Sequence, residues 1–104
     1  MLVRIVRMSF RENRVADFLD VYDEIATTIR SFSGCRHIEL WKDADAPAAY
    51  TTYTLWTNNE ALQTYRESSL FRETWAKIKP MFESPASAHS YHRVTSGDLL
   101  EPLG

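Results

Sequence analysis

The sequence predicts one α+β domain whose elements follow the order β-α-β-β-α-β. In four short segments apolar residues recur at every second position, which is the spacing of strands. In two longer segments they recur at every third or fourth position, as on one face of a helix. The chain has 104 residues, 44% hydrophobic and 25% charged, which suits a single globular unit with a core of its own. We expect this domain to span residues 1–94 and a short tail to follow over residues 95–104.

The first strand is predicted from Leu2 to Phe10. Its two faces each carry apolar residues, with Val3 and Ile5 on one and Val6 and Met8 on the other. A helix is then predicted over about residues 13–31 from a set of large apolar residues at helical spacing, namely Val15, Phe18, Leu19, Tyr22, Ile25 and Ile29. Gly34 stands where a helix commonly ends in a left-handed residue.

The second and third strands are predicted over Cys35–Lys42 and Ala49–Trp56. A polar break with a proline separates them, and it is short enough for a hairpin. The third strand is dense in threonine and tyrosine, which fit a pleated surface. After it, Thr57 and Glu60 have the Thr-x-x-Glu spacing of a capping box, so a helix is predicted to begin there.

The second helical region is interrupted at Ser68-Ser69 and resumes with Leu70, Phe71, Trp75, Ile78 and Phe82. Pro85 is predicted to bar its continuation. Ala86–Val94 alternates weakly and is predicted as the fourth strand. This order of elements is the split βαβ, or ferredoxin-like, arrangement.

Neither face of the predicted sheet is cleanly polar, as a face open to water would be. One face of the second strand carries Ile38 and Leu40, and the other is predicted to carry Cys35, His37, Glu39 and Trp41. Two helices cover only one face, so we expect a second copy of the chain to cover the other. Singly exposed aromatic residues are the alternative.

Charge and cysteine content exclude several classes of function. The net charge is -2 and no basic stripe appears, so nucleic acid is not an expected partner. A single cysteine forms no internal disulfide. The first residues lack the features of a signal peptide, and no apolar run has transmembrane length. We therefore expect a cytoplasmic protein that does not bind a membrane.

The segment around the cysteine contains the strongest cluster of reactive side chains. Cys35 and His37 are two residues apart, so on a strand they stand side by side, which is a poor geometry for a nucleophile and its base. No further ligands occur at a spacing typical of zinc sites. The cluster is interpreted mainly as polar contacts of the second sheet face. In the alternative interpretation, His37 is a base or hydrogen-bond donor in a pocket.

Several segments resemble the antibiotic biosynthesis monooxygenase (ABM) domain. They are RIVRMSF in the first strand, SGCRHIELWKD after the first helix, YTLWTNNEAL around Trp56, and SSLFRETWAKIKPMF in the second helical region. Together the resemblance covers roughly residues 2–94. It implies a dimeric α+β barrel, and it implies oxygenation of phenols or quinols with no metal or flavin cofactor, since the substrate anion itself reduces O₂.

The resemblance is incomplete at the family's polar positions. Where some members carry an asparagine four residues before the tryptophan, this chain has Thr52. Where many carry His-x-x-Ser-x-His, Ser68 is kept but Tyr65 and Leu70 replace the histidines. Haem-degrading relatives place a histidine near the position of Trp75 and an asparagine near Val6, and neither is present here. The haem-degrading function is therefore disfavoured.

The predicted site follows from these positions. His37, Thr52 and Trp56 are the predicted catalytic residues: His37 as a base or orienting donor, Thr52 as a hydrogen-bond donor and Trp56 as a wall of the pocket. The predicted substrate-binding residues are Tyr65, Phe71, Trp75 and Arg66. Apolar walls with few polar groups suit an aromatic ligand. Trp56 and Trp75 could instead be plain core residues. Arg4 and Arg66 could hold an anionic ligand, although surface positions are more usual for arginines.

Two other functions stay open at this point. One is a non-catalytic dimeric domain that binds a small ligand. The other is an isomerase or mutarotase on the same barrel, because one fold hosts unrelated chemistries.

Overall fold

The computed structural model describes residues 1–95, so residues 96–104 of the predicted tail lie outside the described part of the chain. Short 3-10 turns at Glu12–Arg14 and Lys79–Met81 flank the regular elements. The strands are β1 (Leu2–Phe10), β2 (Cys35–Lys42), β3 (Ala49–Trp56) and β4 (Phe82–His92), and the helices are α1 (Val15–Arg30), α2 (Asn59–Arg66) and α3 (Ser69–Ile78).

The four strands form one antiparallel sheet in the order β2-β3-β1-β4, and the helices pack on one of its faces. The ferredoxin-like α+β prediction is therefore confirmed. On this covered face the large residues of β1 are buried, with Leu2, Met8 and Phe10 at most 3% exposed. Phe10 stacks on Phe18 of α1 with ring centroids 4.1 Å apart, which fixes that helix against the sheet.

Gly34 has the left-handed conformation that the sequence predicts, with φ at +86°. Its carbonyl oxygen accepts a hydrogen bond of 2.9 Å from the amide of Thr57, just before α2. A Cβ on Gly34 would lie 2.4 Å from the Cβ of Ala61. Glycine is therefore required twice here, by the backbone conformation and by the close approach of α2.

The predicted capping box at Thr57 is wrong by one residue. Asn58 is the N-cap of α2, and its side-chain oxygen accepts a hydrogen bond of 2.9 Å from the amide of Ala61. The reciprocal hydrogen bond of a capping box is not formed at Thr57, because its amide donates to the carbonyl oxygen of Gly34 and not to Glu60. The predicted interruption at Ser68-Ser69 is the start of a new helix. Ser68 is the N-cap of α3, and its hydroxyl oxygen accepts a hydrogen bond from the amide of Phe71.

The fourth strand starts earlier than predicted, at Phe82 instead of Ala86, and it ends at His92. The prediction of Phe82 as part of the second helical region is therefore wrong, since α3 ends at Ile78. Pro85 ends the helical region but does not keep the chain out of the sheet. β4 is an edge strand, where a residue without an amide donor is tolerated. The pairing with β1 also shifts register between Arg7 and Ser9, opposite Ser84 and Ser87, as expected of an irregularity at the proline.

The predicted side of Cys35 is wrong. The register of β2 against β3 shifts between Cys35 and His37, so the strict alternation of sides is broken there. Cys35 consequently packs in the core with Leu2, Trp56 and Leu62 and is 4% exposed. His37, Glu39 and Trp41 keep the predicted side, away from the helices.

Candidate functional site

A cavity of about 270 Å³ lies between the covered face of the sheet and the helices. β1 and β3 contribute the floor, with Val6 and Thr52 paired across the two strands. α1 closes one side through Tyr22 and Ile25. Most of the lining is apolar, which is the usual character of a site for a small organic ligand.

Three aromatic residues form one side of the cavity. Tyr65 of α2 meets Phe71 of α3 edge to face at 5.3 Å, and Phe71 stacks on Trp75 at 5.8 Å. All three line the cavity, and we call them the aromatic wall. The α2–α3 junction creates this wall, because the Ser68 cap turns the chain so that residues of both helices face the same space. The sequence prediction therefore names three residues that lie together.

Trp56 lies behind the aromatic wall. Its indole is fully buried and stacks on Tyr65 with ring centroids 5.0 Å apart. The indole nitrogen donates a hydrogen bond of 2.9 Å to the hydroxyl of Thr54, which itself lines the cavity. Trp56 is thus placed to support two lining residues, and it is not among the residues that line the cavity.

The polar groups of the cavity are few, and none is an ordinary base. Among the described residues that line it, none is Asp, Glu or His. Hydroxyl groups come from Thr52, Thr54 and Thr74 and from the two tyrosines. Burial raises the pKa of Tyr65 to about 12, and burial also raises the pKa of Tyr22. Both phenols therefore keep their protons near neutral pH and have an O–H group that can donate a hydrogen bond.

Two arginines complete the lining, Arg4 from β1 and Arg66 at the end of α2. The guanidinium of Arg4 donates to the hydroxyl of Ser90, and that of Arg66 to the side chain of Gln63. Arg4 is not among the predicted site residues. The sequence nevertheless indicates its position, because strict alternation of side chains along β1 places Arg4 on the same face of the sheet as Met8.

His37 lies on the other face of the sheet, so the structure separates it from the cavity. Its Nε2 is 2.5 Å from one carboxylate oxygen of Glu39, and the indole of Trp41 donates to the other at 2.8 Å. Both hydrogen bonds lower the pKa of Glu39, and the bond from Trp41 has the larger effect. The interpretation of His37 as part of a polar cluster on the second face therefore agrees with its position, whereas the pocket interpretation does not.

The second face, which we call the open face, displays apolar and aromatic residues from all four strands. Trp41 stacks on Tyr53 at 5.3 Å, and Arg93 donates to the Tyr53 hydroxyl at 2.8 Å. Trp41 is 43% exposed and Tyr91 is 53% exposed. The strand pairings place the following side chains on this face: Val3, Ile5, Arg7, His37, Glu39, Trp41, Thr51, Tyr53, Leu55, His89 and Tyr91.

Neither a metal-binding cluster nor a membrane-spanning helix occurs among residues 1–95. Within residues 1–95, no three His, Cys, Asp or Glu side chains come together in a way that could hold a metal ion. Over the same residues, no helix combines the length and the apolar character needed to cross a membrane.

Comparison with known proteins gives a family-level match. The family model described as antibiotic biosynthesis monooxygenase matches residues 1–77, which include β1 to β3, α2 and most of α3. No curated protein matches the chain in sequence.

Solved structures share the fold at low sequence identity. An antibiotic biosynthesis monooxygenase superposes with a TM-score of 0.85 at 18% identity, over 91% of this chain and 100% of that one. Rv0793 from Mycobacterium tuberculosis superposes with a TM-score of 0.84 at 19% identity, over 92% and 97% of the two chains. A conserved protein from Methanosarcina mazei Go1 gives 0.83 at 15% identity, over 89% and 93%. At these identities the likeness establishes the fold alone.

Proposed function

Since the chain belongs to the antibiotic biosynthesis monooxygenase family, we propose that it is a cofactor-independent monooxygenase of a small aromatic or quinol substrate. The observation that carries this proposal is the cavity of about 270 Å³ with its aromatic wall. An engineered protein cavity of about 150 Å³ holds benzene. The larger cavity here has room for a fused or substituted ring system.

The proposed reaction needs no electron donor besides the substrate. A quinol or anthrone supplies all four electrons that reduce O₂: one oxygen atom enters the ring system, and the other leaves as water with the two hydrogen atoms that the substrate loses as it becomes a quinone. The protein would bind the ring against the aromatic wall, orient it and exclude water, which favours reaction through positioning. Thr52 is proposed to donate a hydrogen bond to the substrate, and Arg66 to bind its polar end. Trp56 is proposed to act by holding Tyr65 in place.

We further propose that the open face packs against a second copy of the chain. Trp41, Tyr53 and Tyr91 give this face large apolar side chains that are partly exposed in one copy. Large apolar patches of this kind mark interaction surfaces, and covering one with its own copy gives a closed twofold dimer. In this arrangement His37 and Glu39 belong to the dimer contact and not to the cavity.

A second candidate function is a non-catalytic domain that binds a small ligand. The observation that favours it is the lack of Asp, Glu and His among the described residues that line the cavity. The described lining therefore supplies no ordinary general base for proton removal. This candidate predicts that aromatic ligands raise the thermal stability of the protein while oxygen consumption stays at the background rate.

Oxygen-electrode measurements on metal-stripped protein separate the two candidates. We expect saturable oxygen uptake with hydroquinones or anthrones. Thr52→Phe, which places a ring in the cavity, should abolish saturation, whereas Thr52→Val keeps the volume and tests the hydroxyl alone. Thr51→Val is the matched control, because Thr51 is the next residue of the same strand and faces the open side. Ligand-dependent stabilisation with no uptake over the whole panel would favour the binding domain.

A further inference from the structure

The exposed lining residues locate the mouth of the cavity. Among the described residues that line it, only Arg66 and Ala88 are exposed to solvent, and the others are buried or half-buried. Arg4 adjoins this mouth, because its guanidinium reaches the hydroxyl of Ser90 at 3.0 Å, two residues beyond Ala88 on β4. A ligand that enters the cavity therefore passes two guanidinium groups.

Among residues 1–95, neither arginine has a carboxylate partner. The ion pairs within residues 1–95 are Arg7 with Asp43, Arg14 with Asp17 and His37 with Glu39, and none includes Arg4 or Arg66. Their side-chain hydrogen bonds go to the neutral groups of Ser90 and Gln63. Two like charges that share a mouth without a counter-ion repel each other. Burial, and then the neighbouring Arg66, lower the pKa of Arg4, as this crowding requires.

We propose that Arg4 and Arg66 form an oxyanion-binding pair, so that the ligand is a small aromatic molecule held as its anion with its ring against the aromatic wall. This inference rests on the proposed function, since it names the class of substrate for the same cavity. Guanidinium groups match carboxylates and other oxyanions in geometry and charge. The threonine hydroxyls and protonated tyrosines of the lining are also donors, so no group in it repels a negative charge.

The anionic oxygen has two chemical sources, a carboxylate on the ring or a ring hydroxyl that ionises. The second would compensate for the missing base, because two nearby positive charges lower the pKa of a bound phenol. Proton loss to solvent would then suffice. The pair thus accounts for how a cavity whose described lining contains no Asp, Glu or His can hold the reactive form of an aromatic substrate.

Isothermal titration calorimetry with three naphthalene probes tests the proposal. The probes are 1-naphthoate, which is an anion at neutral pH, 1-naphthol, which ionises only in alkaline solution, and neutral 1-naphthamide. We expect naphthoate to bind at least about tenfold more tightly than naphthamide, since hydrogen bonds to charged groups exceed neutral ones by about that factor. Salt should weaken the binding of naphthoate but not that of naphthamide. Naphtholate absorbance in the complex at neutral pH would identify the ring hydroxyl as the source, and its absence the carboxylate.

Variants assign the effect to the pair. Arg4→Gln and Arg66→Gln should each raise the Kd of naphthoate by about tenfold or more and leave that of naphthamide unchanged. Arg7→Gln, on the same strand but on the open face, and Arg72→Gln, on α3 outside the cavity, should leave both unchanged. Equal affinity for naphthoate and naphthamide, no binding of naphthoate, or insensitivity to both cavity variants would overturn the proposal.

This test is distinguishable from that of the monooxygenase function. If naphthoate binding follows the expected pattern but no quinol is oxygenated, the anion site stands and the oxygenase proposal fails. If neutral substrates are oxygenated and the two arginine variants leave KM unchanged, the oxygenase stands and the anion site fails.

Discussion

Replacing Gly34 by alanine tests how closely α2, which carries Tyr65 and Arg66 of the cavity, is held against the sheet. A non-glycine residue in the left-handed region costs about 1–2 kcal/mol. The new methyl group would also lie 2.4 Å from the Cβ of Ala61, and overpacking of this kind costs about 1–3 kcal/mol. Reduced freedom of the unfolded chain returns about 0.4–1 kcal/mol. We therefore expect Gly34→Ala to lower the free energy of unfolding by about 1–5 kcal/mol.

A double-mutant cycle separates the two causes. Ala61→Gly alone should cost about 0.5–1 kcal/mol, because it places a glycine in α2. In the double variant the steric clash is gone but the left-handed conformation remains. We expect a favourable coupling of about 1–3 kcal/mol, equal to the clash.

Urea unfolding followed by tryptophan fluorescence measures each free energy, since Trp56 and Trp75 are in or near the core. Gly34→Ala should also weaken the binding of an aromatic probe through movement of α2, and Ala61→Gly should restore it. A Gly34→Ala variant within about 0.5 kcal/mol of the original protein, or a coupling near zero, would refute the close approach of α2 on which the reasoning depends.

Three further predictions concern the cavity and the open face. Burial raises the pKa of Tyr65 from 10.0 to about 12, so the unfolded chain loses this proton at a lower pH than the folded protein does. The free energy of unfolding should therefore fall between pH 10 and pH 12, and Tyr65→Phe should reduce that fall when unfolding is measured from pH 9 to 12. Trp56→Phe removes a buried hydrogen bond to Thr54 and leaves a void, so it should lower the free energy of unfolding by about 1–3 kcal/mol in urea unfolding. A variant that loses oxygen uptake but keeps its free energy of unfolding would contradict the supporting role of Trp56. Trp41→Asp should shift the mass measured by light scattering from two copies of the chain to one, and a monomeric original protein would contradict the proposed dimer face. His37→Ala should leave the rate of oxygen uptake within about twofold, because His37 lies on the open face, and loss of uptake would contradict this assignment.

The fold was predictable because its signals are local. Alternation of side chains predicts β1 and β2 at the residues observed, and the density of threonine and tyrosine predicts β3. The common end of helices in a left-handed glycine predicts the conformation of Gly34. The errors arose where a local rule competes with a tertiary contact. Thr57 fitted the capping pattern, but its amide is taken by Gly34, so the cap moves to Asn58. Pro85 was expected to precede the last strand, yet an edge strand accepts it.

The site was predictable only in part, for a similar reason. The aromatic wall follows from helical spacing in α2 and α3 together with the Ser68 interruption. The face of the sheet on which Cys35 lies was not predictable from the sequence. It depends on the register shift in β2, which arises from pairing with β3 and has no mark in the sequence. For Arg4 the sequence favours a surface position over a place in the cavity, because a single arginine on a strand is usually at the surface. Its proximity to Arg66 arises from pairing and packing of elements far apart in the chain.

Oxygen consumption by metal-stripped protein with a panel of hydroquinones and anthrones tests the central claim most directly, provided that the same preparation is compared with Thr52→Phe and Thr51→Val. Saturable uptake that disappears when the cavity is filled and persists in the control is the predicted result. Uptake that is absent with every substrate, or that survives in Thr52→Phe, would contradict the claim that this cavity is a site of oxygenation.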